Sequence, residues 1–124
     1  IVVLVQGVFL CKPLFSSLEI WGFKTINIYR NTENKEVLIK NADVIISGIG
    51  KGKYITGDML KEGVVVIDAG TSEIDSGIVG DVDFESVKEV ASFISPVPGG
   101  VGPVTVAMLL ENVLEVAKKL QNNK

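Results

Sequence analysis

The chain has 124 residues, of which 47% are hydrophobic, and its 12 basic and 15 acidic side chains give a net charge of −3. This length predicts one domain with one buried core and leaves no room for a second. The slight acidity, without any run rich in Lys or Arg, argues against nucleic acid as a partner. No apolar stretch approaches the roughly 18 to 20 residues of a membrane-spanning helix, so we expect no membrane contact.

Cysteine and histidine content limits the chemistry further, because the sequence has one cysteine, Cys11, and no histidine. A Cys/His zinc site is excluded, no metal site is predicted, and nucleophilic catalysis lacks its commonest base. The single cysteine fits a reduced, cytoplasmic setting. The chain opens directly on a strand-like run at Ile1, without a methionine or a signal peptide, so we expect a piece of a longer protein.

The predicted elements alternate along the chain between short β-branched runs and amphipathic stretches. Strands are expected at residues 1–5, 25–29, 43–47 and 64–68, with weaker ones at 78–79 and 93–95. Helices are expected at residues 12–21, 32–41, 83–91 and 103–120, with a short turn at 57–61. The strongest strands are apolar on successive residues, which indicates a sheet covered on both faces. The sequence therefore predicts an α/β fold: a Rossmann-like, doubly wound, mostly parallel sheet with helices on both faces.

Two helices carry additional signals at their starts or along one face. Pro103 suits the first turn of the closing helix. The apolar residues of that helix recur at spacings of three and four, at Val106, Leu109, Leu110, Val113, Leu114 and Ala117. Asp83 precedes the apolar positions Val87 and Val90 of the helix at 83–91, and we expect its carboxylate to cap the backbone N–H groups there.

The residues that follow each strand are the candidate site, because ligands in open α/β sheets bind beyond the carboxyl ends of the strands. The first turn begins Gln6-Gly7 and lacks the Gly-x-Gly-x-x-Gly fingerprint, so alone it is weak evidence for a dinucleotide. After the second strand, Arg30 could pair with a 2′-phosphate. It could equally be a solvated side chain beside Thr32 as a helix cap, and both interpretations stay open.

The third and fourth strands also end in small residues. Residues 47–53 contain Gly48 and Gly50 together with two lysines, so exposed amides and cations could attract phosphate. The Walker pattern is not matched, because a tyrosine follows the lysine where Ser or Thr is required. The fourth strand ends at Asp68, which could pair internally or take part in chemistry. Gly70 then permits close backbone approach to a ring, and Thr71 could face that ring.

The loop at residues 95–105 is the most distinctive stretch, because its prolines and glycines fix an irregular path into the last helix. A helix N-terminus beside exposed amides suits a carboxylate, a phosphate or a polarised carbonyl. A rigid connector that turns the chain onto the sheet would explain the same composition. The composition alone leaves both possibilities open.

The loop also carries a family resemblance. The run Pro96-Val97-Pro98-Gly99-Gly100-Val101-Gly102-Pro103, with Thr105 and residues 107–112 after it, resembles the signature of the methylenetetrahydrofolate dehydrogenase/cyclohydrolase family. Upstream matches in family order extend the resemblance over essentially the whole chain: Gly80-Asp81-Val82-Asp83-Phe84, residues 66–70, residues 56–59, Ala42-Asp43 and Lys12-Pro13-Leu14. In that family a C-terminal domain binds NADP or NAD, and a separate N-terminal domain supplies the lysine and tyrosine that act on the folate. The resemblance implies that residues 1–124 are the NAD(P)-binding domain and hold no catalytic residue.

The strand ends and the resemblance together give the candidate site residues. Contacts with NADP, or alternatively NAD, are expected at Val5, Gln6, Gly7, Tyr29, Arg30, Thr32, Gly48, Gly50 and Thr71. Substrate-side contacts, where nicotinamide meets folate, are expected at Pro98, Gly99, Gly100 and Gly102. The resemblance further implies that the folate binds through the missing N-terminal domain and that the protein is a homodimer, since family members usually pair through this domain.

The cofactor side departs from the family pattern. Gly-Arg-Ser is usual where Val5-Gln6-Gly7 stands, His-Ser where Tyr29-Arg30 stands, and Ile-Asn where Thr71-Ser72 stands. The lost arginine removes charge-assisted hydrogen bonds of roughly 1.5 to 3 kcal/mol, which predicts about tenfold to hundredfold weaker cofactor binding. Arg30 could compensate by meeting the phosphate from the second strand.

Three functions follow as hypotheses. The first is an enzyme that oxidises 5,10-methylenetetrahydrofolate with NAD(P) and hydrolyses methenyltetrahydrofolate, as the resemblance implies. The second is a non-catalytic Rossmann-like module with a decayed cofactor site that serves assembly or regulation. The third is another Rossmann dehydrogenase, against which the missing glycine-rich turn and the missing acidic ribose ligand both argue.

Overall fold

The computed structural model describes residues 1–6 and 8–124, so the expected contact at Gly7 lies outside the described residues. The strands are β1 (Val2–Val5), β2 (Ile26–Asn27), β3 (Val44–Gly48), β4 (Val65–Asp68), β5 (Ser72–Ile74), β6 (Gly77–Val79) and β7 (Phe93–Ile94). The helices are α1 (Val8–Ile20), α2 (Lys35–Lys40), α3 (Phe84–Val87) and α4 (Val101–Asn122), with a 3-10 helix at Gly57–Met59. These elements occur in the predicted order, although most begin or end a few residues from the predicted bounds.

Five strands form one parallel sheet in the order β2-β1-β3-β4-β7. The register places Val2 between Ile26 and Ile45, and it places Val65 between Val44 and Phe93. From β1 the chain passes to β2 on one side and then crosses to β3 on the other side. Such a reversal of winding leaves a crevice at the carboxyl ends of the two central strands. The fold therefore directs attention to the residues after β1 and β3.

Both faces of this sheet are covered, as the successive apolar residues predict. One core cluster joins Val2 and Leu4 of β1 to Ile39 of α2 and Val87 of α3. The other joins Val3 and Val5 to residues of α1 and β3. Neighbouring residues of a strand point to opposite faces, so an all-apolar β1 needs helices on both sides. The doubly wound α/β prediction is confirmed.

The strand expected at 78–79 exists as β6, but it does not belong to the main sheet. It pairs antiparallel with β5, with Ser72 opposite Val79. Strand β5 was not predicted, because Ser72-Glu73-Ile74 has no apolar run, and its last two residues are exposed. A short hairpin therefore stands where the prediction had one weak strand.

Two predicted helix caps are wrong. Asp83 occupies the predicted N-cap position of α3, but its side chain makes no capping hydrogen bond. Its backbone N–H donates to the Ile55 carbonyl. Thr32 does not cap α2, which begins later, with Asn34 at its N-cap in the left-handed region. The Thr32 hydroxyl accepts a hydrogen bond from the Tyr29 backbone N–H at 2.8 Å. Thr32 thus belongs to the turn before α2, whereas Asp83 stands at the start of α3 without a capping bond.

The closing helix α4 is confirmed and is longer than predicted, with 22 residues and with Pro103 in its first turn. Its packing is unusual, because none of its residues, all of which the structure describes, is buried. Leu109 is 62% exposed and Leu110 is 66% exposed. Among the described residues, neither α4 nor any other helix has the length and apolar content that crossing a bilayer requires.

Candidate functional site

Two cavities lie at the carboxyl edge of the sheet. The first, named here the cation pocket, has a volume of about 200 Å³ and lies beyond β1, β2 and β3. Its lining consists of Leu4, Val5, Gln6, Ile28, Tyr29, Arg30, Lys35, Ile49, Lys51 and Tyr54. It therefore occupies the crevice that the sheet order predicts.

The cation pocket is positively charged. Arg30, Lys35 and Lys51 contribute three cations, and no described residue of its lining is acidic. The ammonium of Lys51 lies 4.4 Å from the centre of the Tyr54 ring, within the range of a cation–π contact. Cations clustered in a cleft raise the local concentration of anionic ligands. The donors present suit a phosphorylated ligand.

Four of the predicted cofactor contacts line this pocket: Val5, Gln6, Tyr29 and Arg30. Val5 stands where the family has glycine, and its side chain is only 3% exposed and belongs to the core cluster on the α1 face. The Val5 side chain therefore lies mainly in the core, where it does not obstruct the approach of a ligand. Three further candidates, Thr32, Gly48 and Gly50, do not line the pocket as the structure describes it.

The loop after β3 is hydrogen-bonded to the buried carboxylate of Asp81, a residue that is 0% exposed. This carboxylate accepts hydrogen bonds from the Ser47 hydroxyl at 2.9 Å and from the backbone N–H groups of Ile49 at 2.5 Å and Lys51 at 2.9 Å. The expectation that this loop offers free amides to a phosphate is wrong at those two positions. The loop presents the Lys51 side chain to the pocket instead.

The second cavity, named here the proline pocket, has a volume of about 390 Å³ and lies between the end of β4 and the loop that enters α4. Its lining consists of residues 68–71, Ile78, residues 96–103 and Thr105. All four predicted substrate-side residues line it: Pro98, Gly99, Gly100 and Gly102. Thr71, predicted as a cofactor contact, also lies here and not in the cation pocket. The peptide bond between Val97 and Pro98 is cis.

Asp68 supports one wall of the proline pocket. Its carboxylate accepts hydrogen bonds from the backbone N–H groups of Gly70 at 2.9 Å, Asp81 at 3.2 Å and Val82 at 2.9 Å. Its own N–H donates to the Ser95 hydroxyl at 2.8 Å, which ties β4 to the start of the proline loop. Burial raises the pKa of Asp68, more strongly than the three N–H donors lower it. Of the two interpretations left open for Asp68, internal pairing is what the structure shows.

Sequence reasoning missed three residues of this edge. Lys35 is the first residue of α2, where a cation is unfavourable beside the positive end of the helix dipole, and that position was the available signal. Tyr54 gave no signal beyond its exclusion from a Walker motif. Asp81 lay inside a matched family segment, but no pattern in the sequence connects it with the loop at 47–51. Among the described residues, no group of three or more Cys, Asp or Glu side chains is placed to hold a metal ion.

A parallel sheet of this order with a cationic crevice beyond its central strands defines a nucleotide-binding α/β domain. The family model described as "Tetrahydrofolate dehydrogenase/cyclohydrolase, NAD(P)-binding domain" matches residues 1–121. The chain belongs to this family and is its NAD(P)-binding domain. The resemblance carried by the proline loop is thereby confirmed.

Known relatives support the assignment. The bifunctional protein FolD of a Sulfurihydrogenibium species is 55% identical over 91 residues, which cover 73% of this chain and 32% of the relative. The crystal structure of the FolD dehydrogenase/cyclohydrolase from Campylobacter jejuni superposes with a TM-score of 0.89 at 41% identity, covering 95% of this chain and 43% of that one. The Trypanosoma brucei enzyme, complexed with NADP and an inhibitor, gives a TM-score of 0.87 at 34% identity and the same coverages. The chain thus spans well under half the length of the proteins it matches.

Proposed function

We propose that the chain is the cofactor-binding part of a protein that oxidises 5,10-methylenetetrahydrofolate with NADP and hydrolyses the methenyltetrahydrofolate that results. The observation that carries the proposal is the arrangement of two pockets on one sheet edge. One is cationic and suited to the phosphates of a nucleotide, and the other is walled by the family's proline-loop signature. A dinucleotide laid along this edge would reach both.

In this arrangement the cation pocket binds the adenosine end of the cofactor. Arg30 and Lys35 lie on adjacent segments at the end of β2 and the start of α2, where a Rossmann-like domain meets the ribose. A guanidinium pairs well with the oxygens of a 2′-phosphate, and an acidic residue for a free 2′-hydroxyl is absent from the described lining. These features support NADP over NAD. Arg30 then replaces the arginine that the family normally carries where Gln6 stands.

The proline pocket would hold the nicotinamide against the folate. A bound nicotinamide supplies the centre that accepts hydride from the methylene carbon of the substrate. The chain's own part is to position that ring: Pro98, Gly99 and Gly100 form one wall, and Gly70 and Thr71 form the other. The first turn of α4 begins at this pocket, so its N-terminal dipole would favour a polarised carbonyl or carboxylate there. The residues that act on the folate would come from a further domain.

The exposed helix α4 supports the presence of that further domain. Its apolar residues need a covering surface, which the rest of this chain does not supply. The relatives are much longer than this chain, and a domain of their kind would be the natural cover. We further propose that the protein is a homodimer in the cytoplasm and has no membrane partner. The small net charge of −3 supports the proposal that it does not bind nucleic acid. Static light scattering that gives a monomeric mass for the longer protein would contradict the dimer.

The alternative of a non-catalytic module with a decayed site is less well supported. A decayed phosphate site would not be expected to gather positive charge, yet this pocket is lined by three cations although Gln6 stands where the family has arginine. The proline loop likewise keeps the family's run from Pro96 to Pro103.

Calorimetric titration of the purified chain with NADP and with NAD, at low and at moderate salt, tests the proposal. We expect NADP to bind more tightly than NAD, with a preference that shrinks as salt screens the phosphate. Equal affinity for both nucleotides would overturn the assignment of Arg30 and Lys35. No binding of either nucleotide at millimolar concentration, by a chain whose circular dichroism shows it folded, would overturn the proposed cofactor site.

A further inference from the structure

Two buried carboxylates support the two pockets, Asp68 at the proline pocket and Asp81 at the loop of the cation pocket. Asp81 is 0% exposed and Asp68 is 2% exposed. The Asp81 backbone N–H donates to Asp68, while the Asp81 carboxylate turns away toward the loop after β3. Neither carboxylate is paired with a cation in the described part of the chain, and backbone N–H donors supply most of the hydrogen bonds to both. A buried charge held by amides fixes the backbone that supplies those amides.

The backbone that Asp81 fixes belongs to the cation pocket. Ile49 and Lys51 both donate their N–H groups to this carboxylate, and both line the pocket. Between them lies Gly50, whose φ of 74° gives the loop its sharp turn. The Lys51 side chain leaves this fixed backbone to lie over Tyr54. The position of one pocket cation is therefore set by a side chain that does not line the pocket.

The space for Asp81 is itself specific. A Cβ added at Gly70 would lie 2.1 Å from the Asp81 Cγ, so only glycine leaves room for this carboxylate. The site is thus fitted to Asp81 on three sides, by Gly70, by Ser47 and by the loop amides. A core that needed only to be filled at this position would be served by an apolar side chain, without the cost of burying a charge.

We propose that Asp81 is a positioning residue for nucleotide binding, which holds residues 49–51 in the conformation that the adenosine end of the cofactor requires. The inference rests on the proposed function, since it assumes that the cation pocket binds that end. Asp81 does not touch the nucleotide and acts through the loop backbone and through Lys51.

The test compares Asp81→Asn with Ser47→Ala in the 124-residue chain. The asparagine removes the charge and keeps one acceptor oxygen, but its NH₂ group replaces the other oxygen, so at least one of the two loop amides loses its acceptor. The alanine removes one hydrogen bond from the same carboxylate but leaves both loop amides in place, and it serves as the control for loss of stability alone. The probes are NADP and 2′,5′-ADP, which lacks the nicotinamide half, titrated where circular dichroism shows each variant to be folded.

We expect Asp81→Asn to weaken the binding of both probes by about tenfold or more, and Ser47→Ala to weaken it by less than about threefold. Equal affinities for parent and Asp81→Asn would overturn the positioning role. Equal weakening by both variants would also overturn it, because general loosening would then explain the result. Failure of the parent chain to bind either probe would instead overturn the proposed function.

Hydrogen exchange of the parent chain tests the same idea if Asp81→Asn does not fold. A loop fixed by Asp81 should show slow exchange at the Ile49 and Lys51 amides without nucleotide, and little further slowing with NADP. Fast exchange in the free chain that becomes slow only with NADP would mean that the nucleotide orders the loop, and would contradict the inference.

Discussion

The two pockets on the sheet edge differ in what builds them. The proline pocket is walled largely by prolines, glycines and backbone, and it retains the family's run from Pro96 to Pro103. The cation pocket is walled by long side chains from four separate segments, and it departs from the family at Gln6, Tyr29 and Arg30. A wall formed by glycines and prolines depends on the path of the backbone, which few other residues can follow. A positive charge, in contrast, can be supplied by a side chain from another strand. Under the proposed function, recognition of the cofactor phosphate would depend on single side chains from separate segments, whereas the nicotinamide side would depend on the backbone of one loop.

Gly70→Ala should have the largest effect, because it should distort both pockets. The new Cβ would lie 2.1 Å from the Asp81 Cγ, and Gly70 also lines the proline pocket. Overpacking together with displacement of a buried carboxylate should lower the free energy of unfolding by about 3 kcal/mol or more. Urea unfolding measures this loss. Gly102→Ala is the matched control, since its Cβ meets no atom within 4 Å, and a comparable loss there would contradict the explanation.

Arg30→Ser, which restores the residue usual in the family, should affect the cation pocket alone. Loss of a charge-assisted contact of roughly 1.5 to 3 kcal/mol should weaken NADP binding by about tenfold to hundredfold, with little effect on NAD. Titration of both nucleotides against the parent and the variant gives the result. Equal losses for NADP and NAD would show that Arg30 does not meet the 2′-phosphate. Lys35→Ala should act in the same direction with a smaller effect.

Asp68→Asn should change how the stability of the protein depends on pH. Burial raises the folded-state pKa of Asp68 above its ordinary value of 3.8, so the folded state holds this proton more tightly than the unfolded state. The stabilisation from this proton is fully present below pH 3.8 and is lost as pH rises through the raised pKa. The stability advantage of the parent over Asp68→Asn should therefore shrink as pH rises across that window. Urea unfolding between pH 4 and 7 measures the difference, and an advantage that grows with pH would refute the explanation.

Polar substitutions in the outer part of α4 should affect neither pocket. Leu110 and Leu114 are exposed, and the pockets meet only the first turns of the helix. Leu110→Gln with Leu114→Gln should change the unfolding free energy of the sheet by less than about 0.5 kcal/mol. Thermal unfolding gives this value, with Ile45→Ala, at a position that is 0% exposed, as the control for a true core loss. A marked loss from the α4 variant would mean that the helix packs on the sheet in solution.

The main sheet could be predicted because its strands are local and strongly patterned. Ile45 and Val66 lie in runs of β-branched residues whose successive apolar side chains require cover on both faces, and that fact fixed the fold class. The hairpin was harder, because Ser72-Glu73-Ile74 is held by pairing with β6 rather than by burial. Asp83 was predicted as a cap from its position and does occupy the N-cap of α3, but its side chain makes no capping hydrogen bond, which position in the sequence alone does not reveal.

The residues of the proline pocket were easier to predict from the sequence than those of the cation pocket. The proline pocket follows from one contiguous motif, so all four of its predicted residues line it. The cation pocket gathers Gln6, Arg30, Lys35 and Lys51 from across the sheet, and only the strand order brings them together. Asp81 stands 30 residues from Lys51 in sequence, and no periodicity in a single chain can reveal such a contact.

Because helix α4 is exposed to solvent, its susceptibility to proteases can report whether another surface covers it. A helix that takes no support from the sheet opens by local fraying, at a free energy well below that of the core. Proteases cleave such segments through these openings, so residues 106–120 should be nicked readily in the free chain. A surface that covers the helix would suppress the fraying, so the initial rate of cleavage should fall in proportion to the fraction of molecules covered. The rate of a single proteolytic cut would thus count assembled molecules without a label or an activity assay.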